Sequence, residues 1–218
     1  MNANHQNGLR KVYLYTRYER FWHWFQAAMI LVLLVTGLEI HGSLRLLGFQ
    51  RAVTVHNFLG LTWLASFAFF IFWVFTTGEW KQYVPTTRKL LEVVRYYTVG
   101  IFTGQPHPCP KTPEAKHNPL QRLAYLALAA LLLPLQMATG LLYWMYNSWA
   151  ELGVKGMTLS SVAALHVLGG FAILSFLIVH IYMTTTGHTL MAHIKAMFTG
   201  WEDIPTGERT DEWEKRVA

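Results

Sequence analysis

Four stretches of the chain are free of Asp, Glu, Lys and Arg and rich in apolar residues: 21–38, 52–78, 123–150 and 156–194. A helix needs about 20 apolar residues to cross the hydrocarbon core of a bilayer, where backbone polar groups must be satisfied within the segment itself. The pattern predicts four transmembrane helices at about residues 20–41, 52–77, 119–147 and 157–186. A fifth uncharged run, 96–110, is only 15 residues long and ends in prolines, so it is not read as a span. The expected fold is all-α: an integral membrane four-helix bundle, one domain over residues 1–218. The first span follows a polar stretch, and no small-residue cleavage pattern follows Thr36-Gly37-Leu38-Glu39, so it reads as a retained signal-anchor helix.

The connection between spans two and three, residues 81–118, has two parts. Leu90, Leu91, Val93, Val94, Tyr97 and Ile101 recur near helical spacing among Arg88, Lys89 and Arg95, which fits a short helix lying in the interface or a solvated loop with one amphipathic turn. Residues 105–119 hold five of the eight prolines and read as an irregular connector. Pro134, inside span three, is expected to kink it.

Composition changes the picture mainly by exclusion. Hydrophobic residues make up 53% and charged residues 14%, against about 25% charged in an average soluble domain. The formal charge of +6 comes from scattered residues, which excludes a phosphate-tracking surface and a nucleic-acid partner. Fifteen of the 18 basic residues fall in the termini and the middle loop, leaving Arg45, Arg51 and Lys155 on the opposite side. The positive-inside rule then predicts cytoplasmic termini, a cytoplasmic tail at 195–218, and a multi-pass protein of the cell inner (cytoplasmic) membrane. Trp22, Trp24, Trp80, Trp144, Trp149 and Trp201 lie near predicted span ends, as interfacial belts require. The one cysteine, Cys109, allows no internal disulfide and no C-x-x-C-H attachment; it is expected to be a surface thiol.

Ionisable residues inside a membrane are costly and are functional candidates by default. Four of the ten histidines, His23, His56, His166 and His180, fall within the spans. By span direction, His23 and His180 share a cytoplasmic layer while His56 and His166 share an outer one. His166 and His180 are fourteen residues apart. That spacing nearly restores the helical phase and separates them by about 21 Å along the axis. Two bis-histidine sites in a four-helix bundle suit two non-covalent b-type haems. Zinc fits less well, since no cysteine or carboxylate completes a tetrahedron. His41, eighteen residues after His23, is the competitor to His56 for the outer layer. His5, His107, His117, His188 and His193 lie in tails, loops or beyond the spans and are read as non-ligands. Gly60, Gly169 and Gly170, one turn from His56 and His166, could make room for a porphyrin or simply allow close helix packing.

Arg20-Phe21-Trp22-His23-Trp24, His56-Asn57-Phe58-Leu59-Gly60, and the pair His166 and His180 resemble the diheme cytochrome b membrane subunits of nickel-iron hydrogenases, formate dehydrogenases (gamma subunit) and thiosulfate reductases. Asn118-Pro119-Leu120-Gln121-Arg122, opening span three, is most similar to the thiosulfate reductase type. The resemblance implies two b haems, exchange with the quinone pool, and a partner redox subunit, periplasmic and iron-sulfur or multihaem in kind. It also implies a quinone site beside the cytoplasmic haem formed by His180, Met183, Asn118 and Gln121. Read from the residues, Asn118 could equally be the N-cap of span three, with Pro119 at the first helical position. Arg17 and Arg20, near the cytoplasmic layer, and Arg51, near the outer one, could pair with haem propionates or anchor the interface. Two other function classes stay open: a self-contained diheme quinone oxidoreductase, and a haem-free transporter or anchor. Against the transporter, the sequence shows no inverted internal repeat, only a faint echo of Thr36-Gly37-Leu38 in Thr139-Gly140-Leu141.

Overall fold

The computed structural model describes residues 9–105, 107–109, 116–187 and 189–205. His5, His188, residues 110–115 of the connector and the tail after residue 205 lie outside them. Among the described residues the elements are β1 (Leu9–Tyr13), α1 (Arg17–Ile40), α2 (Phe49–Thr77), α3 (Leu90–Thr98), α4 (Pro119–Ala127), α5 (Leu133–Trp144), α6 (Leu159–Thr184), α7 (Ala192–Thr199) and β2 (Trp201–Pro205). Short 3-10 turns at 79–83, 100–103 and 146–148 punctuate the connections. Among the described residues four segments are long and apolar enough to cross a membrane: α1, α2, Pro119–Trp144 and α6. Their ends agree with the expected spans to within three residues. Many large side chains on them are exposed, among them Phe58, Phe72, Phe75, Leu131, Leu168 and Ile178, which suits helices facing hydrocarbon.

The segment Pro119–Trp144 is not a plain α-helix, and the reason is Pro134. Proline has no N–H to give to the carbonyl four residues back, and its ring crowds that carbonyl. The helix widens into a π turn over Leu128–Leu132, where the Leu133 N–H reaches the Leu128 carbonyl. The sequence led to the expectation of a kink at Pro134, and the structure shows a π turn preceding it.

The described chain divides into two compact units. One comprises residues 24–74 and 127–179. Its core takes one buried residue from each spanning segment: Met29, Trp63, Met137 and Ile173. The Trp63 indole donates to Gln26 Oε1 at 2.5 Å, so the polar groups on the apolar helices satisfy each other. At the end of α1, Glu39 Oε1 accepts from the N–H groups of Leu46, Leu47 and Gly48 at 2.9, 2.8 and 2.7 Å, which fixes the turn into α2. Trp149 is buried and donates to the Leu142 carbonyl at 2.8 Å. It satisfies an end of α5 rather than serving as the interfacial anchor expected.

The other unit comprises residues up to 23, 75–126 and 180 onward. Helix α1 opens on a reciprocal capping box: Thr16 N–H donates to Glu19 Oε2 at 2.7 Å, and Glu19 N–H to Thr16 Oγ1 at 3.3 Å. Glu19 Oε1 also receives the buried Lys116 ammonium at 2.6 Å. The amphipathic segment of the connection is helical, as α3. It packs Val93 against Cys109, whose thiol is buried and not at the surface as expected. The backbone of Cys109 is held by His107, whose ring also meets the Tyr97 hydroxyl.

The sequence reading did not anticipate a two-stranded antiparallel ribbon, β1 with β2, pairing Leu9 with Pro205 and Tyr13 with Trp201. Between them Gly200 ends α7 at φ 87° and accepts from the Leu14 and Tyr15 N–H groups. A Cβ there would stand 2.5 Å from the Tyr13 ring and 2.7 Å from the Tyr15 carbonyl, so both conformation and space call for glycine.

Candidate functional site

The four histidines singled out in the sequence come together as two pairs, one in each unit. In the first unit, His56 of α2 faces His166 of α6 with ring centroids 6.1 Å apart and planes at 82°. Thr36 of α1 places its hydroxyl 2.9 Å from His56 Nδ1. Thr139 of α5 places its own 3.2 Å from His166 Nδ1. The next residue in each case is glycine. A Cβ on Gly37 would lie 3.3 Å from His56 Cε1, and one on Gly140 would lie 2.9 Å from His166 Cε1. Each imidazole therefore lies against bare backbone on one side. Gln136 Nε2 reaches both nitrogens of His166 at 3.2 and 3.3 Å, while its Oε1 is buried without a hydrogen-bond partner. Gln136 also covers Gly169, whereas a Cβ on Gly60 would meet nothing within 4 Å. His41 is exposed, bonds Ser43 Oγ at 3.0 Å and stands edge-on to Phe171; it is not brought to His166. Arg51 is exposed.

In the second unit His23 of α1 faces His180 of α6, again with centroids 6.1 Å apart and planes at 46°. Arg17 is exposed, and Arg20 donates through Nη1 to the Phe198 carbonyl, tying α1 to α7. At the start of α4 a second capping box joins Asn118 and Gln121. Gln121 N–H donates to Asn118 Oδ1 at 2.9 Å, and Asn118 N–H to Gln121 Oε1 at 3.0 Å. Asn118 Nδ2 also donates to the Tyr97 hydroxyl at 3.1 Å. The N-cap reading of Asn118 is thus realised. Arg122, one residue on, is fully buried and donates from Nε to the His117 carbonyl at 3.0 Å. Met183 lies on α6 three residues after His180 and is half-buried. Outside the spans, burial pushes the Tyr15 phenol well above its ordinary 10.0, with Glu202 and Glu19 adding to the effect. Burial does the same for Tyr83, aided by Glu19, Tyr125 and Glu79.

The chemistry of the two pairs suits a bound iron, to which each pair would offer two imidazoles from facing helices. Two imidazoles that each placed a nitrogen about 2 Å from a shared metal would have ring centres about 6 Å apart. Both pairs have that separation. Among the described residues no three His, Cys, Asp or Glu side chains gather to hold an ion.

Residues 14–200 match the family model of prokaryotic cytochrome b561. The chain belongs to that family. As a b-type cytochrome it binds haem b and carries electrons as a multi-pass integral membrane protein. The cytochrome b561 chain is 32% identical over 199 residues to the protein named cytochrome YdhU of Escherichia coli (strain K12), covering 88% of this chain and 74% of that one. It is 28% identical over 197 residues to a protein of Rhodobacter capsulatus named as a Ni/Fe-hydrogenase B-type cytochrome subunit, covering 78% and 72%. No solved structure matches it.

The sequence singled out the four histidines that the structure pairs but not the groups that touch them. Thr36 and Thr139 were given no role beside a histidine, and the glycines chosen for space were those on the histidines' own helices. The signal was present in the repeated Thr-Gly-Leu of α1 and α5, which read only as a faint echo.

Proposed function

We propose that this cytochrome holds two b haems, one between His23 and His180 and one between His56 and His166, and passes electrons between the quinone pool and a partner redox subunit. The observation that carries this reading is the equal 6.1 Å separation of both histidine pairs. Each haem supplies, when bound, one-electron chemistry at a potential set by axial ligation and burial. Helix α6 provides one ligand to each site, fourteen residues apart on a single continuous helix.

The quinone is assigned to the neighbourhood of His180, with Met183, Asn118 and Gln121. Gln121 lends its Oε1 to the capping box, so what it offers a quinone carbonyl is its Nε2 donor. Arg17 and Arg20 serve the propionates of the His23 haem and Arg51 those of the other, as bidentate donors. The distribution of basic residues supports cytoplasmic termini in the inner membrane. The relative named as a hydrogenase cytochrome subunit supports a separate redox partner, which we place on the periplasmic side as an iron-sulfur or multihaem protein.

The test is reduction of the purified, oxidised protein by a soluble quinol. Rapid reduction of both haems, slowed at least tenfold in Gln121→Ala with the haem content unchanged, is the expected result. Haems that reduce with dithionite but not with quinol would overturn the quinone assignment.

A further inference from the structure

The paired threonines of α1 and α5 carry an inference beyond haem ligation itself. Thr36 and Thr139 are both buried, at 1% and 4% exposure, and both spend their single hydroxyl proton on their own helix. Thr36 Oγ1 donates to the Val32 carbonyl at 2.8 Å, and Thr139 Oγ1 to the Leu135 carbonyl at 2.8 Å. A hydroxyl has one proton and two lone pairs, so what each oxygen presents to the imidazole is an acceptor. His56 Nδ1, at 2.9 Å, and His166 Nδ1, at 3.2 Å, must then be the protonated nitrogens. That tautomer leaves Nε2 of each ring with its lone pair free for a metal.

The arrangement occurs twice with the same parts. In the pair α1 and α2, and again in α5 and α6, a Thr-Gly step near the end of the first helix holds a histidine near the start of the second. The glycine after each threonine lets the ring approach: a methyl group there would press on Cε1, at 3.3 Å for Gly37 and 2.9 Å for Gly140. Back-bonding to the helix fixes the threonine rotamer, so the acceptor does not swing away. Two buried hydroxyls aimed at two facing rings go beyond what helix packing requires.

We propose that Thr36 and Thr139 are paired positioning residues that set the Nδ1–H tautomer of His56 and His166 and lower the reduction potential of the haem these hold. The proposal rests on the assignment of that haem. A hydrogen bond from Nδ1–H to an oxygen makes the imidazole a stronger donor through Nε2 and favours ferric iron. Removing the acceptor therefore raises the potential. Because both axial ligands carry the same device, the effects of removing the two should add.

The experiment is a spectroelectrochemical redox titration of Thr36→Val, Thr139→Val, the double variant and the matching serine variants, with His56→Ala alongside. Valine keeps the shape without the oxygen, while serine restores the oxygen. Each valine variant should raise the potential of one haem, the double variant should raise it further, serine should return it towards wild type, and the second haem should stay in place. An unmoved potential, or equal shifts of both haems, would overturn the proposal. If a valine variant fails to assemble, the nitrogen chemical shifts of 15N-histidine in the haem-free protein decide the matter. Thr36→Ser must keep the Nδ1–H signature of wild type, and its loss from wild type itself would refute the tautomer. His56→Ala retaining two haems would instead sink the ligand assignment, independently of the threonines.

Discussion

Gly140 lies directly against the ring of His166, with room for a hydrogen but not for a methyl group. A Cβ at that position would approach His166 Cε1 to 2.9 Å, and the equivalent approach of Gly37 to His56 is 3.3 Å. Gly140→Ala must therefore displace the imidazole or the helix, at the about 1–3 kcal/mol typical of overpacking. Gly37→Ala asks for a shift of only a few tenths of an ångström. Haem content by pyridine haemochromogen assay should fall further in Gly140→Ala than in Gly37→Ala, and the reverse order would contradict this packing.

Lys116 and Glu19 form a buried ion pair at 2.6 Å, with Glu79 at 3.9 Å from the same ammonium. Removing Lys116 leaves the partly exposed Glu19 carboxylate without its cation, which costs about 1–3 kcal/mol. Lys116→Ala should lower the unfolding free energy in detergent by that order. Glu19→Gln keeps the capping box with Thr16, since glutamine fills the same role. Combined with Lys116→Met, it should recover most of the loss. A double variant as unstable as Lys116→Ala alone would show that the box, and not the pair, was at stake.

Asn118 closes a capping box and also donates to Tyr97. Asn118→Ala should cost about 0.5–2 kcal/mol through the lost cap. Asn118→Asp retains the acceptor for the Gln121 N–H while losing the donation to Tyr97, and should sit between the two in stability. Quinol oxidation rates on the same variants separate the two roles: a rate that tracks stability across the series reports the cap, and a rate lost in Asn118→Asp with the fold intact reports a contact with quinone.

Tyr15 and Tyr83 keep their phenols protonated well above the ordinary 10.0, chiefly because they are buried. The folded protein then holds these protons more tightly than the unfolded chain does, so stability is full below about pH 10 and falls as pH rises past it. Unfolding free energies measured between pH 8 and 11 should decline over the upper part of that range. The decline should be shallower in Tyr15→Phe/Tyr83→Phe, and equal slopes would contradict the burial.

The spans and histidine pairs were legible in the sequence because a bilayer imposes long charge-free runs and because fourteen residues nearly complete whole turns of a helix. Trp149 and Cys109 were misplaced since burial in a loop depends on what folds over it, and no local pattern carries that. The ribbon of Leu9–Tyr13 with Trp201–Pro205 joins ends of the chain about 190 residues apart, a pairing that alternation alone cannot assign. Thr36 and Thr139 were passed over because a threonine in an apolar helix is usually satisfied by its own backbone; here it is so satisfied and also touches a ring on the next helix.

The most direct test of the two-haem assignment is a haem count with reduced-minus-oxidised spectra on purified wild type and on single alanine variants of His23, His56, His166 and His180. The expected result is two non-covalent b haems per chain, with His23→Ala and His180→Ala losing the same one and His56→Ala and His166→Ala losing the other. One haem in the wild type, or a histidine variant that keeps both, would contradict it.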